Sequence, residues 1–113
     1  MSIKRIEIGP RMSQAVVHGN IAYLAGQVAL GDGVAAQTKA ILSQIDALLA
    51  SAGTDKTKLL TTTIYLADIS TFAQMNAAWD AWVSDSNTPA RANVEAKLAT
   101  PDYLVEIVVT AAI

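Results

Sequence analysis

Two charged residues stand where their neighbours make charge expensive or well positioned. Arg91 follows Thr88-Pro89-Ala90 and opens the alternating run Arg91-Ala92-Asn93-Val94-Glu95-Ala96-Lys97-Leu98. Alternation puts Arg91, Asn93, Glu95 and Lys97 on one strand face and Ala92, Val94, Ala96 and Leu98 on the other. A guanidinium at the start of a strand, just after a proline-rigid turn, can fork onto a carboxylate while its backbone stays fixed. The competing reading is an ordinary solvated strand arginine. Glu106 sits inside Tyr103-Leu104-Val105-Glu106-Ile107-Val108-Val109, where every neighbour prefers burial. A carboxylate there costs several kcal/mol unless it is paired or hydrogen-bonded. Such a group acts either as a general base or water-orienting carboxylate, or as half of a structural ion pair at a subunit interface.

Weaker candidates surround these two. Asn76, between Met75 and Trp79, reads either as a ligand contact or as a structural cap. Gly26-Gln27 offers backbone N–H groups to an anion, and a bulge explains the same glycine. His18 beside Gly19 reads as an exposed turn residue. Trp79 and Trp82 have no cations around them to make a nucleic-acid stacking platform, so they read as core or interface. No phosphate-binding glycine loop, HExxH or nucleophile elbow occurs.

The elements that must carry these residues follow from periodicity. Residues 3–8, with Ile3, Ile6 and Ile8 among charges, read as a short edge strand stopped by Gly9-Pro10. Ala15–His18 and Ile21–Val28, separated by Gly19-Asn20, read as a hairpin. From Val34 the period lengthens, with Val34, Ile41, Leu42, Ile45, Leu48 and Leu49 on one helical face and Gln37, Lys39, Gln44 and Asp46 elsewhere. This helix ends near Ser51–Gly53. Leu59–Leu66 is a β-branched strand. Ser70 or Thr71 caps a second helix whose Phe72, Met75, Trp79, Trp82 and Val83 share a face. Ala90–Leu98 and Leu104–Ala111 are the last strands. Joined as a simple hairpin around Pro101, they would put Arg91 opposite residues 110–112 and leave Glu106 roughly 13 to 20 Å away. Joint action of the two would then need another strand order, a bound ligand or a second subunit.

The expected order is therefore β-β-β-α-β-α-β-β in a single α/β (α+β) domain over residues 1–113. Two helices cover one face of such a sheet and no more. With 52% hydrophobic and 16% charged residues and a mean hydropathy of +0.34, the other face is expected to meet further copies of the chain, a closed ring being the simplest solution. The formal charge of −2 without a basic block argues against nucleic acid as partner. The lack of cysteine and the single histidine exclude thiolate and histidine-rich metal sites and a cysteine nucleophile. No apolar run approaches the ~18 residues that span a bilayer, and charges at Lys4, Arg5 and Glu7 interrupt any secretory signal. The expected setting is the cytoplasm, without membrane partners.

The segments SQAVVHGNIAYLAGQVAL, QTKAILSQIDALLASAG, TTTIYLADISTFAQMNAAWDAW and PARANVEAKLATPDYLVEIVVTA resemble the RidA (YjgF/YER057c/UK114) family along essentially the whole chain. The resemblance implies a chorismate-mutase-like fold, a homotrimer with clefts between subunits, and a strand 59–66 lying between the last two, which would displace the simple hairpin. It further implies cofactor-free hydrolysis of reactive imines and enamines, such as 2-aminoacrylate or 2-iminobutanoate, to a 2-keto acid and ammonia. In that family's pattern Arg91 holds the substrate carboxylate, the backbone at Asn93 borders the ligand, and Glu106 orients the attacking water. Two positions depart from the pattern. Arg11-Met12 stands where family members carry a tyrosine after Gly-Pro, and Ala25 stands where they carry a hydroxyl residue before Gly-Gln. Both remove ligand contacts, and Arg11 would offer a second cation instead. The departures keep open a non-catalytic binder of small carboxylates, and an RNA-cleaving activity ranks below both for so acidic a chain.

Overall fold

The computed structural model describes residues 2–113. Six strands and two helices run in the order β1 (Ile3–Ile8), β2 (Ser13–His18), β3 (Ile21–Leu24), α1 (Val34–Ser51), β4 (Leu59–Leu66), α2 (Phe72–Trp82), β5 (Ala90–Glu95) and β6 (Val105–Ala112), with 3₁₀ turns at Lys56–Lys58 and Ile69–Thr71. The strands form one mixed sheet in the order β1-β2-β3-β6-β4-β5. β1 is an edge strand, as its charged alternation predicts. The simple hairpin of the last two strands does not form; as the family resemblance implies, β4 lies between them, antiparallel to β6 and parallel to β5. The cause is α2, which carries the chain back across the sheet so that β5 starts at the same end as β4. A parallel neighbour requires such a crossover.

Both helices pack on one face. Ala22, Leu24, Ile64, Leu66, Val105, Ile107 and Val109 alternate inward and form one core with Ile41, Ile45 and Leu49 of α1 and Met75 and Trp79 of α2. The opposite face, carrying Tyr23, Tyr65, Val94 and Val108, has no helix over it among the described residues. Helix α1 ends as its sequence predicts, with Gly53 at φ 85° and the Thr54 N–H reaching the Leu49 carbonyl at 2.9 Å. This closure satisfies carbonyls the last turn would otherwise leave open.

Several boundaries differ from the sequence reading. β3 stops at Leu24, and Gln27 rejoins the sheet through an isolated bridge to Ile107. β5 stops at Glu95, so the alternation extrapolated to Lys97 lapses. Neither Ser70 nor Thr71 caps α2 by its side chain: Thr71 occupies the N-cap position without a capping bond, its hydroxyl donating to the Asp68 carbonyl at 2.6 Å, and the Asp68 carboxylate accepts from the Ser70 N–H at the preceding 3₁₀ turn. Gln37, expected on the polar side of α1, is 1% exposed. No helix among the described residues is long and apolar enough to cross a membrane.

Two measurements test this frame. Ile107→Ala, deep in the sheet's covered face, lowers unfolding free energy by about 2–5 kcal/mol in chemical denaturation. The Ser70 hydroxyl, then its backbone N–H, holds the Asp68 carboxyl below its ordinary value of 3.8. A lowered folded-state pKa adds stability above the unfolded value and loses it as pH falls through the folded one. The melting temperature of Asp68→Asn therefore falls less steeply than that of the parent below about pH 4.

Candidate functional site

Register decides which face each candidate occupies. Arg91 pairs with Thr62 and Asn93 with Ile64 across the parallel β4–β5 ladder, and laterally paired residues project to the same side. Arg91 and Asn93 therefore lie on the helix-covered face, and the contacts agree. The Arg91 guanidinium carbon stands 5.8 Å from the Phe72 ring centroid and 5.5 Å from that of Trp79. Phe72 and Trp79 are seven residues apart on α2, so two turns of helix present both rings to one cation. Both rings lie within cation–π reach of the guanidinium, whose residue is exposed. Sequence reasoning placed Phe72 and Trp79 on one face but did not connect them to Arg91, because that contact depends on the crossover.

Asn76 lies between those rings on the same helical stripe. Its Oδ1, both side-chain polar atoms of Asn93 and the Thr62 hydroxyl are buried without a hydrogen-bond partner among the described residues. Each such orphan costs on the order of 1–3 kcal/mol. Thr62 is the ladder partner of Arg91, and Asn93 follows two residues along the same strand face.

Glu106 lies on the other side of the sheet. It pairs with Tyr65, and its half-buried side chain points away from the helices. The Gln27 N–H bonds the Ile107 carbonyl at 2.9 Å, and the Ile107 N–H returns to Gln27 at 3.1 Å. These bonds press the chain at Gly26 against the glutamate so closely that a Cβ on Gly26 would overlap the carboxylate. Gly26 is thus required by close approach, and its place between β3 and the isolated bridge fits the bulge reading. Glu106 also lines a cavity of about 330 Å³ with Tyr65, Lys97 and Val108. Gly26 lines another, of about 460 Å³, with Met12 and Gln14. Arg11 is exposed in the turn closed by the Gly9 N–H to Met12 carbonyl bond of 2.8 Å, and Met12 reaches the cavity at Gly26 in its stead.

Arg91 and Glu106 cannot meet within one chain. Two strand spacings and three residues of register separate them, roughly 14 Å between backbones, and their side chains leave opposite faces. The structure thus brings together Arg91, Asn93 and Asn76 as one group and Gly26 with Glu106 as another. Among the described residues no cluster of His, Asp and Glu suited to a metal ion occurs.

The entry to β6 is held by Gln37, a residue expected off the apolar stripe of α1. Gln37 donates from Nε2 to the carbonyls of Asp102 at 2.9 Å and Gly31 at 3.2 Å, and its Oε1 accepts from the Leu104 N–H at 2.9 Å. One amide therefore ties the start of α1 to the loop that enters β6, two residues before Glu106. Its position one turn before Ile41 on the apolar stripe was the available signal.

The sequence profile of the family described as Endoribonuclease L-PSP matches residues 3–113. A RutC family protein of Haemophilus ducreyi is 47% identical over 113 residues, covering 98% of this chain and 97% of the relative. The RutC family protein YoaB of Escherichia coli K12 is 45% identical, with both chains covered completely. Among solved structures, a member of the YjgF protein family from Neisseria meningitidis superposes with a TM-score of 0.97 at 46% identity, over 99% of this chain and 95% of that one. A member of the YjgF/YER057c/UK114 family from Mycobacterium tuberculosis gives 0.90 at 28%, over 99% and 100%.

Two substitutions check the positioning. Gln37→Leu strands the Leu104 N–H and two carbonyls and destabilises the fold by about 1–3 kcal/mol in urea titration. Gly26→Ala leaves far-UV circular dichroism unchanged but forces the Glu106 side chain to another rotamer, which a crystal structure of the variant shows directly.

Proposed function

The chain belongs to the endoribonuclease L-PSP family, within the RidA superfamily, and from that premise we propose that it hydrolyses reactive 2-imino and 2-enamino acids to 2-keto acids and ammonia without a cofactor. The observation that carries the reading is the disposition of Arg91. A guanidinium braced by two aromatic rings, with unpartnered polar atoms behind it, is suited to a planar carboxylate. Glu106 is the complementary group, a carboxylate on the uncovered face beside a cavity of about 330 Å³.

Since the two lie on opposite faces, the reading requires that one copy supply Arg91 and a neighbour supply Glu106. In a homotrimer each protomer buries its bare sheet face and three equivalent clefts result. Arg91 neutralises the substrate carboxylate and holds C2 of the imine near Glu106. Glu106 accepts a proton as water attacks C2, giving a tetrahedral carbinolamine, and returns the proton to nitrogen. Glu106 then takes the carbinolamine hydroxyl proton and delivers it to the amino group as C=O forms and the C–N bond breaks, releasing ammonia and the keto acid. Imine hydrolysis is downhill, so the acceleration required is within reach of orientation and one general base.

A second reading, a trimer that binds small carboxylates without turnover, is favoured by Ala25 and by the Arg11-Met12 pair, which remove two ligand contacts of the family pattern. Cleavage of RNA, suggested by the family's description, suits this chain poorly: the net charge is −2 and phosphate binding draws on clustered cations.

Added to a serine or threonine dehydratase reaction, the protein accelerates keto-acid release. Arg91→Ala and Glu106→Gln each reduce that acceleration by about a hundredfold or more. Keto-acid release no faster than with Arg91→Ala excludes catalysis. Tight Arg91-dependent binding of 2-ketobutyrate without turnover establishes the binder instead. Size-exclusion chromatography with light scattering gives about three times the 11.9 kDa protomer mass. A monomer removes the shared site altogether.

A further inference from the structure

Resting on the reading that Glu106 faces the ligand, we infer that Lys97 is a second anion-binding group of the same site and that it selects substrates carrying two carboxylates. The ladder that sets alternation along β5 stops at Glu95, with one further bond from the Ala96 N–H to the Leu66 carbonyl at 3.0 Å. Beyond it Lys97 leaves the face of Arg91 and Asn93. It lines a cavity together with Tyr65, Glu106 and Val108, residues of the uncovered face.

Lys97 also borders a second cavity of about 330 Å³, on the side of Thr100, Pro101 and Tyr103. The segment from Lys97 to Ala99 thus forms a wall with open space on both sides, and a four-carbon stem can swing its ammonium between them. Within hydrogen-bonding and ion-pair distance, no partner of the Lys97 ammonium or of the Glu106 carboxylate occurs among the described residues. Opposite charges therefore line one cavity without neutralising each other.

The charges divide the work. A 2-imino acid with a single carboxylate engages Arg91 and leaves Lys97 idle. One with a second carboxylate two or three carbons away places that group against Lys97 while Glu106 still faces C2. A cavity of about 330 Å³ falls at the lower end of the roughly 300–1,000 Å³ typical of small-molecule sites, ample for a five-carbon diacid. The compact charge of lysine on a flexible stem accepts anions at varied reach, which suits a side-chain carboxylate more than the planar fork of arginine does.

Isothermal titration with stable product analogues tests this without requiring turnover. The probes are 2-ketoglutarate and 2-ketobutyrate at low salt, on the intact protein and its Lys97→Met, Lys97→Arg and Arg91→Ala variants. Lys97 is exposed, so its variants fold. The diacid binds the parent about tenfold more tightly than the monoacid. Lys97→Met abolishes that advantage and leaves 2-ketobutyrate affinity unchanged, Lys97→Arg retains most of it, and added salt erodes it. Equal affinity for the two acids, or equal weakening of both by Lys97→Met, overturns the role of Lys97 while an Arg91→Ala loss of both upholds the site. Failure of the parent to bind either acid, or indifference to Arg91→Ala, removes the site reading and this inference with it.

Discussion

Two helices crossing the same side of a six-stranded sheet set the constraint from which the rest follows. Apolar burial is what holds so small a fold together, and here it is spent on one side: Ile64, Ile107 and Val109 are sealed beneath α1 and α2. Tyr23, Tyr65, Val94 and Val108 on the far side receive no such cover. A glutamate among them keeps contact with water and costs little in the separate chain. The same glutamate would be an uncompensated charge beneath the helices.

The crossover through α2 then divides the chemistry. Because β5 returns parallel to β4, its odd-numbered residues from Arg91 to Glu95 turn toward the helix layer, and Arg91 meets Phe72 and Trp79 there. In an antiparallel hairpin with β6 this brace would not form. Strand β6, inserted between β3 and β4, turns Glu106 the other way and brings Gly26 against it. The proposed pairing of these groups across two copies thus arises from the same topology that leaves the sheet face bare.

Support for the site comes from polar bonds rather than from core packing. The three bonds of Gln37 hold the entry to β6, and the reciprocal bonds of Gln27 and Ile107 hold its middle. These anchors flank Glu106, whose side chain has no hydrogen-bond or ion-pair partner among the described residues. Around Arg91 the opposite economy holds, with the guanidinium braced by rings and the polar atoms behind it left unsatisfied.

Much of this was legible in the residues. The 3.6-residue recurrence from Val34 to Leu49, the β-branched Leu59–Leu66 and the glycine closing α1 specify local structure by short-range sterics and burial, which are written in neighbouring residues. The anomaly of a carboxylate between Val105 and Ile107 and of an arginine after Pro89 was equally visible, since each is a conflict of a residue with its own surroundings. Strand order was not: the residues alone favoured a hairpin of β5 and β6, and only the family resemblance pointed to β4 between them. Nor could the residues reveal the burial of Gln37, the contact of Arg91 with two rings, or the sharing of one cavity by Lys97 and Glu106. These depend on which segments distant in the chain become neighbours, a choice made by the summed burial of the whole sheet and fixed only when all its elements pack together.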